Sequence, residues 1–462
     1  NNLNIKKIFH LPVITVLCLF LLSSCGGGSG SAGTTIPADQ RAYNAAVATF
    51  NAGNYGAAKT AFEAFIATYP DPNPLADNAQ YFVGRSLHEG ALLLPPPTGF
   101  TLDAARTAYN LVSTVYPNST RVDDAQYQIG RTYFDALPPT AANFNSAIAE
   151  FKAVIADYPT TASASDNAQY YIGRTLHEGA LLAFPPAGTT TYSLTNAHAE
   201  YEKVLANYPL TSTQRDNAQY RMGRTHYDVL TPAATDLESA ITDFQAFMTA
   251  YGITAPSSDD AQYYLGRSIH ARALILIPAP DSNTVSLQIA RNTYVSLLQT
   301  YPLSIRRDDA QYQIGRTHFD QPTATATDYD SAITEFTKVL TDYPVTASAA
   351  DNAQFYLGRA IHQRAMLNDD PTAGTITLSK AREEYAKVNS TRYPLSNRLD
   401  DAVYYSALTF HDHRECTNEL AAMNNFVANF PDSLLIPIPF AQSHIDDLNI
   451  AIIANRTDAN HK

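Results

Sequence analysis

The sequence predicts an all-α protein, an α-solenoid of about nine helix pairs stacked along one axis. Three observations carry this. A segment that starts with Asp and runs through Gln, Tyr, Gly and Arg recurs along the chain, as in Asp166–Leu182 (DNAQYYIGRTLHEGALL). Between its copies lies a second apolar segment that closes on Tyr-Pro, as in Ser146–Pro159 (SAIAEFKAVIADYP). Both place their apolar residues at helical spacing, and self-similarity at a fixed period marks a repeat array. Although 462 residues would ordinarily suggest two to four domains, the periodicity argues for one elongated array.

At the N-terminus, Lys6 and Lys7 precede Ile8–Leu22 (IFHLPVITVLCLFLL), the basic and apolar regions of a secretory signal. The apolar run is shorter than the ~20 residues a spanning helix needs. It ends in Leu22-Ser23-Ser24-Cys25, which resembles the lipobox of bacterial lipoproteins. That resemblance implies removal of residues 1–24 and lipidation of Cys25. An Asp after the cysteine would imply inner-membrane retention in enteric-type bacteria, and Gly26 stands there instead. The implied location is the outer membrane, facing the periplasm, with surface display or a soluble secreted chain as alternatives. Gly26–Thr35 (GGGSGSAGTT) reads as a flexible tether, so residues 25–38 form a lipidated linker. Cys18 leaves with the signal and Cys25 takes the lipid; Cys416 is then a single thiol with no partner for an internal disulfide.

Residues 39–431 are the solenoid. Tyr43–Phe50 and Tyr55–Tyr69 form an atypical first pair. Regular copies of the first helix (helix A) then begin at Asp77, Asp123, Asp166, Asp216, Asp259, Asp308, Asp351 and Asp400. Asp166 is expected as an N-cap, with Gln169, Ile172, Gly173 and Leu176 as the packing stripe. In the second helix (helix B) Ala147, Phe151, Val154 and Ile155 repeat the pattern, and the closing Pro stops it. The last copy is degenerate, with Ala407 and Leu408 in place of Gly-Arg. Residues 432–462 are expected as a tail in which Ser443–Asn455 adds a covering helix. A longer period is superimposed, because Asp123, Asp216, Asp308 and Asp400 are 93, 92 and 92 residues apart. The unit is therefore two pairs, one tightly connected and one with a long loop: Ala91–Ala104, Ala180–Leu194, Ala273–Leu287 and Ala365–Leu378. Each helix pair has an apolar face it cannot bury alone, and stacking supplies the cover.

The small residue of helix A is Gly84, Gly130, Gly173, Gly223, Gly266, Gly315 or Gly358. Helix B answers with Ala, an aromatic and Pro, as in Ala105/Tyr109/Pro117 or Ala332/Phe336/Pro344. This pattern resembles tetratricopeptide repeats over roughly Asp39–Pro431. The family's bulky helix-A aromatic is replaced by Gln (Gln80, Gln126, Gln169) beside Tyr. That variant resembles the repeats of bacterial envelope lipoproteins such as the barrel-assembly-machinery lipoprotein and the Tol–Pal-associated periplasmic coordinator. The resemblance implies a binding scaffold whose concave groove is lined by helix A.

Carried onto this chain, it places a Tyr–Arg ladder in that groove: Tyr81/Arg85, Tyr127/Arg131, Tyr170/Arg174, Tyr220/Arg224, Tyr263/Arg267, Tyr312/Arg316 and Phe355/Arg359. Guanidinium forks suit carboxylates, and Tyr faces suit peptides or sugars. The same arginines could instead pair with the acidic N-cap pairs (Asp123/Asp124, Asp259/Asp260, Asp308/Asp309) in a ladder between adjacent helices. Both readings stand at this level.

His88, His177, His270 and His362 occur only in long-loop copies, three residues after Arg, whereas His226 and His318 follow Arg by two. Packed or groove-lining imidazoles are expected, because equivalent copies lie far apart and no HxxxH or CxxC spacing is present. HDHREC (His411–Cys416) is a local metal-like cluster, with a cationic helix C-terminus as the alternative. The sequence contains no GxSxG, no phosphate-binding loop and no CxxCH. No enzyme, cofactor or metal is therefore expected. Net charge is −13, against a general nucleic-acid or anionic-membrane binder, so membrane attachment is expected through the lipid alone. The expected function is a lipid-anchored envelope scaffold for proteins or peptides, acting through the concave groove and projecting Pro-rich loops. A glycan- or polyanion-binding envelope protein using the Tyr/Arg ladder is the alternative.

Overall fold

The computed structural model describes residues 36–158, 163–184, 190–275, 282–368, 375–413 and 415–433. The signal segment, Cys25, most of the linker, the centres of three long loops and Ser443–Asn455 lie outside the described residues. Among the described residues there are eighteen helices and no strand. They form nine pairs: α1 (Ala38–Asn51) with α2 (Tyr55–Thr68), α3 (Ala76–Ala91) with α4 (Leu102–Val115), and α5 (Val122–Phe134) with α6 (Ala141–Asp157). There follow α7 (Ser163–Leu181) with α8 (Leu194–Asn207), α9 (Arg215–Tyr227) with α10 (Ala234–Tyr251), and α11 (Ser258–Leu274) with α12 (Leu287–Thr300). The array closes with α13 (Arg307–Phe319) and α14 (Ala326–Asp342), α15 (Ala350–Met366) and α16 (Leu378–Ala386), and α17 (Leu399–Asp412) and α18 (Cys416–Asn429). Each helix packs on the next in sequence, so the expected all-α solenoid is the observed fold.

Six of the nine helix B starts are set by hydroxyl caps. Thr101, Thr140, Ser193, Ser286, Thr325 and Thr377 each accept a hydrogen bond from the backbone N–H three residues on. Helix A starts differently. The expected Asp N-cap is corrected: Asp166 sits in the first turn of α7, and in the same way α3 is preceded by Leu75 and α5 by Arg121, with no side-chain cap, while Asp77 and Asp123 sit in the first turn. There the carboxylate complements the helix dipole. It also accepts a hydroxyl from the turn leading into the next helix A, as in Ser119 to Asp77 (2.6 Å), Ser212 to Asp166 (2.7 Å) and Ser348 to Asp308 (2.9 Å).

The helix A glycine is dictated by the helix B aromatic. A Cβ on Gly173 would lie 2.6 Å from the Tyr201 ring, and the six other regular copies meet a Tyr or Phe as closely. Those rings are fully buried. The neighbouring Gln joins the pair through its amide: Gln80 donates to the Ala108 carbonyl (2.9 Å) and Gln262 to the Thr293 carbonyl (3.1 Å). Gln therefore stays inside the packing stripe without an unsatisfied donor.

Short connections make successive helices antiparallel. All helix A–helix B loops thus leave at one edge of the array and all B–A turns at the other. Where the long loops are described they fold back: Phe100 packs on Gly90, and Tyr192 on Gly179 with its hydroxyl donating to the Ala141 carbonyl (2.9 Å). In α11 and α15 the matching residue is Arg272 or Arg364, which reaches Glu238 (2.8 Å) or Asp330 (3.0 Å).

Candidate functional site: the ladder along helix A

The predicted ladder residues do fall on one side of successive A helices, but most of the surface they would present is used inside the array. Tyr81, Tyr127, Tyr170, Tyr220, Tyr263 and Tyr312 are only 4–7% exposed, and Phe355 2%. Their rings pack against helix B aromatics, as in Tyr170 against Tyr201 (centroids 5.8 Å apart). The arginines are half-buried, with their heads engaged at both ends.

Arg224 shows the arrangement most fully. Its Nη2 lies 2.9 and 2.8 Å from the two oxygens of Asp228, one turn later, and its Nη1 donates to the Tyr220 hydroxyl at 3.1 Å. Its guanidinium carbon sits 4.0 Å from the ring centroid of Tyr264, on the next A helix. Arg131 repeats this with Asp135 (2.9 Å) and Tyr171 (4.4 Å), and Arg316 with Asp320 (2.8 Å) and Tyr356 (4.2 Å). In long-loop copies Arg85 pairs with Glu89 (3.2 Å) and Arg174 with Glu178 (2.5 Å). Arg267 and Arg359 differ. Ala271 and Gln363 stand where the carboxylate would be, and neither arginine has an ion pair among the described residues. Arg267 donates to Tyr263 (3.1 Å), and Arg359 covers Tyr405 at 3.9 Å.

The ladder reading that used the acidic first-turn residues is thus corrected. Five of the seven ladder arginines pair with an acid four residues ahead, because the side chain points along the helix surface and an i, i+4 acid is the nearest partner. The acidic first turns are held by a second set: Arg121 on Asn78 (2.7 Å) and Asp124 (2.8 Å), Arg306 on Asp260, and Arg398 on Asn352 (2.9 Å) and Asp401 (2.8 Å).

The alternating histidines complete the ladder. His88 Nε2 lies 3.2 Å from Asp135, His177 3.1 Å from Asp228, His270 3.2 Å from Asp320 and His362 2.7 Å from Asp412. All four rings are buried. The first three Asp residues are the ones held by Arg131, Arg224 and Arg316. Burial pushes the Asp228 carboxyl upward, but Arg224 and then His177 pull it down further, to about 2; Asp135 is likewise held at about 2 by Arg131 and His88. Burial lowers His177 and His270 below the ordinary imidazole value, more than Asp228 and Asp320 raise them. A neutral imidazole donating Nε2–H to a carboxylate follows. The links therefore alternate: a His–Asp contact joins each long-loop A helix to the following tight one, and an Arg–Tyr contact joins the tight one to the next long-loop helix.

Asp135, Asp228, Asp320, Asp412 and the stacking tyrosines Tyr171, Tyr264 and Tyr356 were not singled out from sequence. The signal was present, since each Asp ends a tight copy (TYFD, THYD, THFD, FHD). HDHREC divides between two helices, where His411 approaches Glu419 (3.1 Å) and His413 contacts Glu415. No helix of the described residues is long and apolar enough to cross a membrane.

The tetratricopeptide repeat family model matches residues 42–72, 124–161 and 309–344, which lie on α1/α2, α5/α6 and α13/α14. No curated protein matches by sequence. Among solved structures, the C-terminal part of a TPR repeat-containing protein from Cytophaga hutchinsonii is 14% identical with a TM-score of 0.44, covering 71% of this chain and 99% of that one. A tetratricopeptide repeat protein from Parabacteroides merdae is 10% identical with a TM-score of 0.38, covering 70% and 98%. Yeast Tom70 is 11% identical with a TM-score of 0.39, covering 90% and 83%. The three matched segments and the helix pairing common to all nine units make this a chain that carries tetratricopeptide repeats in an all-α solenoid.

Proposed function

We propose that the chain is a lipid-anchored cell-envelope scaffold that docks proteins or peptides on its solenoid, with no catalytic role. Leu22-Ser23-Ser24-Cys25 and the linker after it support the anchor. One observation carries the docking reading. Leu210, Leu303 and Leu395 are 87%, 94% and 92% exposed, and each follows Tyr-Pro in the same B–A turn of three successive super-repeats. A large apolar side chain held in water at one register along one edge is a repeated contact point for a partner's apolar residues. The groove contributes less than its composition suggests, because five of its seven arginines are neutralised internally; Arg267 and Arg359 are the positions left to meet a partner's carboxylate. The glycan reading would need exposed tyrosine faces, and these tyrosines are buried.

A photo-crosslinking residue at Leu303 is expected to capture defined envelope proteins in cells, and one at the exposed Lys152 on α6 is not. Glu at all three leucine positions should remove the capture and leave the fold intact. Identical crosslinks at both positions, or capture that survives the triple substitution, would overturn the docking edge.

A further inference from the structure

Because the units repeat, each super-repeat is a control for the others, and one register departs from the pattern at two positions beside a histidine that one sister register shares. The long-loop B helices normally place an Arg directly after their packing Ala. Arg106, Arg291 and Arg382 hydrogen-bond the hydroxyls of Thr132 (3.0 Å), Thr317 (3.0 Å) and Thr409 (2.9 Å) on the next A helix. Arg106 and Arg382 also cover the following residue, Tyr133 (4.2 Å) or Phe410 (4.3 Å). In α8 this Arg is His198, and across from it the following residue is His226. The second change is on α10, His318 being the counterpart of His226 in the sister register. Glu150 and Glu335 accept from Gln126 and Gln311 in their own pairs, but the matching residue here is Asp243, one methylene shorter. Gln219 reaches only the Asp243 backbone carbonyl (3.5 Å), and the carboxylate Oδ2 is left buried with no hydrogen-bond partner.

These three side chains come from three helices and converge. Both His198 Nε2 and His226 Nε2 lie 3.7 Å from Asp243 Oδ2, and one donor atom from each residue lies within 4.8 Å of the others. We propose that His198, His226 and Asp243 bind a divalent transition-metal ion, with Zn²⁺ as the ion whose ligand preferences they meet. Tetrahedral Zn²⁺ with bonds of ~2.0–2.2 Å sets neighbouring donors about 3.4 Å apart, so each His–Asp distance need close by only a few tenths of an ångström, and the remaining pair, which lies within 4.8 Å, by about 1.4 Å at most. Two imidazoles disfavour Mg²⁺ and Ca²⁺, which select oxygen. Glu202 Oε1, 3.7 Å from His198 Nδ1, is placed to take that N–H and leave Nε2 as the donor to the metal. Three protein ligands leave a fourth position for water or an incoming side chain, and the site is reachable, its three side chains being 17–32% exposed. In the sister register Arg291 puts a guanidinium beside His318, which confines the site to one place in the array.

The test is Zn²⁺ titration of the full chain against a chromophoric chelator, with variants the solenoid already carries elsewhere: His198→Arg, His226→Tyr and Asp243→Glu. Wild type should bind one more equivalent of Zn²⁺ than His198→Arg/His226→Tyr, and His198→Arg alone should weaken that equivalent about 100-fold or more. Asp243→Glu, which keeps a carboxylate but lets it return to Gln219, should weaken it less. Glu202→Gln should cost about 10-fold, the usual size of a loss behind a ligand. Circular dichroism and thermal melting of the metal-free variants, matching wild type, separate lost binding from lost folding. Equal stoichiometry and affinity in wild type and the double variant would overturn the proposal.

Discussion

His177 Nε2 lies 3.1 Å from Asp228 Oδ2 across fifty-one residues of sequence, joining helix α7 to the end of α9. The same carboxylate receives Arg224 on its own helix. Asp228 is thus the point at which a bond within one unit and a bond between units share an acceptor.

Replacing Asp228 with Ala should leave Arg224 and the buried His177 unpaired. The expected loss is about 3 kcal/mol, the range for breaking one partner of a buried pair. Because a repeat array need not unfold as one unit, amide hydrogen exchange is the measurement to use. Protection should fall in α7 and α9 and persist in α1–α4. A uniform small loss along the chain would show that the link is not local.

Acidification should destabilise the chain in two steps. His177 and His270 are held below 6.5 in the folded state, so the unfolded chain binds protons more readily and stability falls as pH drops through that region. Asp135 and Asp228, at about 2 against 3.8 unfolded, add stability that is present above 3.8 and lost as pH falls toward 2. In denaturation midpoints read across pH, His177→Gln with His270→Gln should flatten the first step and keep the second.

Gly173→Ala should destabilise by about 1–3 kcal/mol, as overpacking a filled core does, because its Cβ would meet the Tyr201 ring at 2.6 Å. Truncating the ring in the same chain (Tyr201→Leu) should make the added Ala cost much less. A full cost in that background would mean the ring is not what requires glycine.

Arg224→Lys should behave as a loss rather than a conservative change. An ammonium cannot hold both Asp228 oxygens and Tyr220 while lying flat over Tyr264. A drop of about 1–2 kcal/mol in urea denaturation is expected, against a smaller effect for Arg41→Lys on exposed α1.

Cys25→Ala should release the chain from the membrane fraction. Continued membrane attachment of that variant would exclude the lipid anchor.

The helix pairs were legible in the sequence because their spacing records a contact inside one pair. Gly173 must be small where Tyr201 arrives, and the two lie in adjacent, regularly spaced segments. The ladder was only half legible. A stripe such as Tyr170/Arg174 reports which side of a helix a residue takes, but not whether the next A helix covers that side. The His–Asp links were harder still, since they join copies of different type: His177 has no neighbour in sequence that hints at Asp228. Only the co-alternation of His in long-loop copies with a terminal Asp in tight copies carried that information. His198, His226 and Asp243 were hidden for a related reason. His198 and Asp243 each replace a residue that varies little elsewhere, and the three meet only through the stacking of α8, α9 and α10.

The alternating links also govern how such a chain can change in length. Every long-loop helix offers a His to whatever tight helix follows, and every tight helix before the last offers an Arg to the Tyr beyond it. Any whole two-pair block therefore presents the same two ends, so a block can be duplicated or deleted without a new interface being invented. Gain or loss of a single pair would instead set His against a helix lacking its Asp. Growth by blocks of about 92 residues, rather than by single repeats, is the register that this junction chemistry permits.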